Sequence, residues 1–188
     1  MAHHDRFDGE FDTVLAAARA GSPRAFTRIF TALAPVVDAY LRAQGASEPE
    51  DLTSEVFLAV LPKLRSFDGD EPGFRSWVFT IAHHRLVDER RRDGRRPVPA
   101  PLAEAPDRPA PDDVEATVVN SLAAERVRAL CEQLSVDQRD VLLMRLLGPL
   151  TIDEIAALMG RTRGSVKALQ RRGLVAISRV IEREGVPL

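Results

Sequence analysis

Apolar residues recur along this chain at helical spacing, and no stretch shows the strict alternation of a half-buried strand pair. Phe26, Ile29, Phe30, Leu33, Val37 and Tyr40 share one helical face. Ser22-Pro23 precedes them as a capping hydroxyl followed by a proline at the first helical position, and Pro35 predicts a bend. Leu52, Val56, Phe57, Val60, Leu61 and Leu64 form the next stripe. Ser47 and Glu50 are expected to form a capping box before it, with Pro49 in its first turn. A polar loop from Ser66 to Gly73 follows. Phe74, Trp77, Val78, Ile81 and Ala82 then open a helix that turns strongly basic towards Arg92. Trp77 has the spacing of a core residue, although a ring there can also stack on a base. Between Asp93 and Asp113 the periodicity stops, and Pro97, Pro99, Pro101, Pro106, Pro109 and Pro111 alternate with alanines and acids. Proline removes backbone donors and blocks helix, so this window reads as an extended, mobile tether. Beyond it, Val118, Leu122, Val127, Leu130 and Leu134 mark one helix. Ser135 caps another through Val141, Leu142, Met144 and Leu146, which Gly148-Pro149 ends. The fold class is therefore all-α, with two small helical domains, 1–92 and 114–188, joined by a flexible Pro-rich linker, 93–113.

Residues 151–172, TIDEIAALMGRTRGSVKALQRR, carry the most chemistry. Thr151 and Glu154 form a capping box. Ile152, Ile155, Ala156 and Met159 line one face of a short helix, and Gly160 ends it where positive φ is favoured. Thr162 caps a second helix whose buried stripe is Val166, Leu169, Gly173 and Ile177. Arg161, Arg163, Lys167, Arg171 and Arg172 lie outside that stripe, with no acidic residue from Arg161 to Arg172. A short helix, a tight turn and a cationic helix match a helix-turn-helix, which lays its second helix in the DNA major groove. The bland alternative is a solvated basic helix on an ordinary bundle.

Composition sharpens this picture in places. The 188 residues suffice for one medium domain or two small ones, and the 45% hydrophobic content suits globular packing. The net charge of −2 hides a segregation. Asp5, Asp8, Glu10 and Asp12 are acidic, as are Glu104, Asp107, Asp112, Asp113 and Glu115. Positive charge gathers at Arg85–Arg96 and Arg161–Arg172. Two separated basic patches suggest two local contacts with a polyanion. Cys131 is the one cysteine, so no internal disulfide forms, which fits a reducing cytosol. It reads as a small core residue. No apolar run reaches the roughly 20 residues that span a bilayer, and the start MAHHDRFDGE lacks the apolar core of a signal peptide.

Three stretches resemble a family. LTSEVF within EPEDLTSEVFLAVLPKL is similar to region 2.2 of the group 4 (extracytoplasmic-function) RNA polymerase sigma factors of the sigma-70 family. FRSWVFTIAHHRLVDERRR resembles their regions 2.3–2.4, and LSVDQRDVLLMRLLGPLTIDEIAALMGRTRGSVKALQRR their region 4. The resemblance covers nearly the whole chain in the family's order. It implies a cytoplasmic transcription-initiation factor, not an enzyme, needing no cofactor or metal. Such a protein binds core RNA polymerase through the β′ clamp helices and the β flap, recognises −35 and −10 promoter elements, and promotes DNA melting. An anti-sigma factor is an implied partner. Nothing extends past region 4, so an extra C-terminal ligand domain is not expected.

By the same resemblance, Asp51 and Glu55 occupy the polymerase-binding positions. They lie four residues apart and project from one helical face. Ser54 stands where glutamine is frequent in the family. The family reads the −10 element as an unpaired strand with a base extruded into a pocket, which needs polar walls and nearby cations. Phe67, in the loop Phe67 to Gly73, with His83, His84, Arg85, Arg90 and Arg91 on the following helix, are the −10 candidates. Many relatives have asparagine in place of His84, so base preference here can differ. Arg161, Arg163, Ser165, Lys167, Arg171 and Arg172 are the −35 candidates. The acids of the linker could mimic nucleic-acid charge near the polymerase channel, or simply solubilise it.

Two rival readings lack the residues they need. A DNA-binding regulator of another class would need a sensor domain, and the first half offers no glycine-rich phosphate loop, phospho-acceptor pocket or strand. A helical metalloenzyme built on His83, His84 and Asp88 would need further inward ligands. Adjacent histidines point about 100° apart on a helix, which leaves no complete site.

Overall fold

The computed structural model describes Phe7 and residues 9–93 and 130–184, and no strand occurs among them. The first half contains α1 (Phe11–Arg19), α2 (Pro23–Ala43), α3 (Pro49–Val60), a 3-10 segment (Leu61–Ser66) and α4 (Glu71–Asp93). The second contains α5 (Val136–Leu146), α6 (Ile152–Met159) and α7 (Arg163–Glu184). The proline-rich tether lies outside the described residues beyond Asp93. The helix expected from Val118 does too, except for its helical end at residues 130–132.

Local chemistry sets most boundaries. Ser22 Oγ accepts a hydrogen bond from the Ala25 amide at 3.3 Å, starting α2. α2 then runs through Pro35 without ending. Its buried stripe, Ile29, Leu33, Val37, Tyr40 and Leu41, supplies the tertiary packing that tolerates the lost backbone bond. α3 starts at Pro49, so its cap residue is Glu48, one position later than a Ser47 cap would place it. A residue before proline is held out of the helical region, which fixes Glu48 at φ −130°. The Glu50 carboxylate reaches back to Arg42 at 2.8 Å.

α2, α3 and α4 bury Leu52, Val56, Phe57, Val60, Phe74, Val78 and Ala82 against one another. The Arg19 guanidinium donates to the Phe67 carbonyl and ties the loop before α4 to α1. In that loop, the Phe67 ring lies 5.1 Å from Phe74 and 5.2 Å from Trp77, centre to centre. Trp77 is therefore a half-buried member of an aromatic cluster.

In the second half, Ser135 and Gln138 form a reciprocal capping box at α5. The one at α6 joins Thr151 and Glu154, with the Thr151 amide 2.6 Å from Glu154 Oε2. Gly160 closes α6 at φ 62°, in the left-handed region that glycine enters without strain. Thr162 Oγ1 accepts from the Ser165 amide at 3.2 Å and starts α7. Val166, Leu169 and Gly173 of α7 are buried, Ile177 is half-buried and Val180 is buried. A Cβ at Gly173 would come within 2.8 Å of Leu142 Cδ1, so glycine lets α7 lie close on α5.

The two apolar cores join into one. A Cβ at Gly148 would stand 2.8 Å from the Phe79 ring of α4, so residue 148 is where the halves meet backbone to ring. Arg75 of α4 donates to the Leu147 carbonyl at 3.4 Å beside it. Cys131 is buried, as its spacing predicts. Burial pushes its thiol pKa up, and Arg139 pulls it partly back.

Replacing Thr151 with alanine removes one side of the α6 box. Stability should fall by about 1 kcal/mol, read as a lower urea midpoint with an unchanged m-value. An unchanged midpoint would mean that α7 packing alone holds α6.

Candidate nucleic-acid interface

Two surfaces carry the cations expected to meet DNA, and they differ in how those cations are engaged. On α7, Arg163, Lys167, Arg171 and Arg172 are exposed and Ser165 is half-buried. The first turn is partly neutralised from within. Arg163 Nε lies 2.7 Å from Asp153 Oδ1, and the Arg161 guanidinium pairs with Asp137. Both pairs are solvated, so each contributes little and can exchange for another anion. Lys167, Arg171 and Arg172 have no ion-pair partner among the described residues. All three lie outside the buried stripe of α7, with Arg171 and Arg172 beside Gln138 of α5.

α4 behaves otherwise. Phe79, His83, Leu86 and Arg90 recur on one stripe, and that stripe faces inward. His83, expected to face a DNA strand, is 4% exposed, and its Nδ1 lies 3.0 Å from the Tyr40 hydroxyl. Burial lowers its pKa, with Arg90 and His84 acting in the same sense and Asp140 opposing. Burial also pushes the Tyr40 phenol up, so it meets the imidazole as a protonated hydroxyl. Arg90 is turned inward too. Its Nη2 donates to the Gln44 carbonyl at 2.9 Å and to Gln44 Oε1 at 3.0 Å, while Nη1 lies 3.5 Å from Asp140 Oδ1. Asp140, on α5 of the other half, is 5% exposed.

His84 and Arg91 are exposed, Arg85 is half-buried, and Arg91 lies 3.7 Å from Asp88. Phe67 is half-buried within its aromatic cluster. In this arrangement His84, Arg85 and Arg91 therefore stand apart from His83 and Arg90. The sequence held the signal for the split, because the Phe79-to-Leu86 stripe includes 83 and 90. The acceptors Gln44 and Asp140 carried no such signal. His83 and His84 diverge, and among the described residues no three His, Cys, Asp or Glu side chains gather to hold a metal.

On α3, Asp51 is exposed and Glu55 half-buried. Ser54 is exposed and its hydroxyl donates to the Glu50 carbonyl at 3.1 Å. Leu58, one turn beyond Glu55, is 70% exposed, and Leu61 is exposed after it. An apolar extension of the acidic face was not foreseen. The periodic stripe names the buried Val56, Phe57 and Val60, and Leu58 falls off it; Leu61, expected on that stripe, is exposed instead because the helix gives way there to the 3-10 segment.

Comparison with known proteins places these surfaces in context. Residues 29–96 match the Sigma-70 region 2 family and residues 124–177 the Sigma-70 region 4 family. The chain is 32% identical over 171 residues to the ECF RNA polymerase sigma factor SigD of Mycobacterium tuberculosis, covering 87% of this chain and 80% of the relative. It is 33% identical over 152 residues to the ECF RNA polymerase sigma factor RpoE of Cereibacter sphaeroides, covering 80% and 82%. A solved structure of CnrH in complex with the cytosolic domain of CnrY has the same fold. It superposes with a TM-score of 0.61 at 22% identity, over 91% of this chain and 96% of that one. Two sigma-70 regions in series define a promoter-recognising factor of transcription initiation. The chain belongs to the ECF RNA polymerase sigma factors. No described helix is long and apolar enough to cross a membrane.

The His83 environment carries a pH signature. The unfolded chain takes up a proton on this imidazole near about pH 6.5, whereas the folded chain resists it. Its contribution to stability is therefore full above that pH. It is lost as pH falls from the unfolded value towards the lower folded one. Urea titrations at about pH 7.5 and 5.5 should show a smaller drop for His83→Gln than for the parent. Equal drops would mean that His83 titrates freely in the folded chain.

Proposed function

We propose that the chain binds core RNA polymerase through α3 and contacts promoter DNA through α4 and α7, working in the cytoplasm. We divide it into a region 2 domain at 1–92, a linker at 93–113 and a region 4 domain at 114–188. The observation that carries the DNA reading is the exposure of Lys167, Arg171 and Arg172 on α7, without anionic partners among the described residues. Exposed cations on the second helix of a helix-turn-helix suit phosphate and base contacts in a major groove. In this reading Arg161, Arg163 and Ser165 complete the −35 contact, the first two exchanging their carboxylates for phosphate. At −10, His84, Arg85 and Arg91 are outward-facing candidates beside the Phe67 loop, while His83 and Arg90 need a change in their present contacts. The exposed Asp51, with Glu55 and the neighbouring Leu58, supports docking on a basic, partly apolar helical surface such as the β′ clamp helices. Region 4 would take the β flap. The fold relative CnrH forms a complex with the cytosolic domain of another protein, which supports a regulatory partner of the anti-sigma type here.

Asp51→Arg with Glu55→Arg should leave the helical signal and melting temperature close to the parent's, because both side chains reach solvent. Retention on immobilised core polymerase should fall at least tenfold, since like charges then face a basic surface. Parental retention would remove α3 from the docking face.

Transcription from a promoter library separates the two DNA contacts. Lys167→Ala and Arg171→Ala should act at −35. A side chain that reads guanine costs about 1–3 kcal/mol at one base position, and a phosphate contact costs affinity evenly. His84→Ala should act at −10. A preference change confined to −10 for the first two, or to −35 for His84→Ala, would overturn the division.

A further inference from the structure

We propose that a cavity between the end of α1 and the 3-10 segment, flanked by Arg19 and Arg65, seats one phosphate of the unpaired promoter strand. This rests on the reading of the Phe67 loop as part of the −10 contact. The cavity has a volume of about 290 Å³, with Arg19 and Gly21 on one side and Leu61, Pro62 and Arg65 on the other. No carboxylate lines it. Among the described residues neither arginine is ion-paired. The Arg19 guanidinium gives its Nη2 to the Phe67 carbonyl, and its Nε is buried without a hydrogen-bond partner. Arg65 is exposed. Two guanidinium groups with donors to spare suit an anion with several acceptor oxygens, which a phosphate offers.

The surroundings favour the same occupant. The last carbonyls of a helix ordinarily repel an anion. Here the Ala16, Ala17 and Ala18 carbonyls accept from the amides of Ala20, Ser22 and Gly21, so the end of α1 is closed off by its own turn. The opposite wall is fixed. Leu64 is buried, the Ser66 hydroxyl donates to the Lys63 carbonyl at 2.9 Å, and the Phe67 amide donates to the Leu64 carbonyl at 3.3 Å. Arg65 therefore stands on a held turn, two residues before Phe67. Leu61 and Pro62 add an exposed apolar edge, which suits a deoxyribose better than a bare ion. A carboxylate from a protein partner would also satisfy the arginines. Only a strand explains why the arginine at the cavity also grips the loop assigned to the −10 contact. Phosphate contacts fix register without reading sequence, so Arg65 is a positioning residue for the base beside Phe67.

Holoenzyme assembled from core polymerase and the full chain, titrated with fluorescent oligothymidylate at several salt concentrations, tests the seat. Arg65→Ala should weaken binding roughly five- to tenfold at low salt and flatten the log–log salt dependence by about 0.7, the value for one phosphate of a single strand. Arg65→Lys keeps the charge and should keep the slope. Lys63→Ala removes a like charge from the same segment but outside the cavity, and should stay close to the parent. Arg91→Ala, on α4, reports on the −10 reading by itself. A parental slope for Arg65→Ala overturns the seat, whatever Arg91→Ala does. Equal losses from Lys63→Ala and Arg65→Ala overturn it in favour of a diffuse basic field. Weaker retention of Arg65→Ala on core polymerase, with an unchanged slope, makes the cavity a protein-docking site and overturns it as well. A loss for Arg65→Ala beside a parental Arg91→Ala takes α4 off the strand and leaves the seat standing.

Discussion

A carboxylate withdrawn from water needs a cation, and Asp140 meets this demand across the boundary between the two halves. It is 5% exposed, and Arg90 of α4 approaches it to 3.5 Å. Much else follows from that pair. Arg90 brings Gln44 with it, which orders the end of α2. The carboxylate lies near Tyr40 and His83, which are hydrogen-bonded to each other at 3.0 Å. Phe79 then closes the apolar end against Gly148. The ion pair and the apolar contact together hide the Phe79–Arg90 face of α4.

The elements themselves depend on local chemistry. Thr151, Glu154, Gly160 and Thr162 lie within twelve residues of sequence, and each satisfies a helix-end group or frees a backbone angle. This is why the helix-turn-helix was legible from the chain alone. Its cationic face was legible for the same reason, because Val166 and Leu169 fix which side of α7 is inward. Ser22-Pro23, Cys131 and the α4 stripe of Phe74, Val78 and Ala82 were legible on the same grounds.

What escaped the sequence was tertiary. Nothing in the spacing of Asp140 distinguishes it from an ordinary surface acid on α5, and Gln44 sits at the end of α2 with no partner in sequence reach. His83 was misplaced because a charged context, HHR before ERRR, outweighed its position on the Phe79–Leu86 stripe. Leu58 was passed over because one-dimensional periodicity finds what is buried and is silent about an apolar side chain left outside. The Gln138 half of the α5 box had the right spacing from Ser135 and could have been found.

The two surfaces proposed to meet DNA differ in how their cations are engaged. On α7 the cations project from a frame set by local caps and by packing within one half. Their arrangement does not depend on where the other half lies, and the pairs at Arg161 and Arg163 are solvated and exchangeable. On α4, Arg90 is committed to Gln44 and Asp140, and His83 to Tyr40, so part of the surface exists only after other contacts are given up. Duplex recognition by a rigid helix asks for a preformed face. Capture of an unpaired strand follows a prior change in the DNA, and a surface released by a prior change in the protein suits that order.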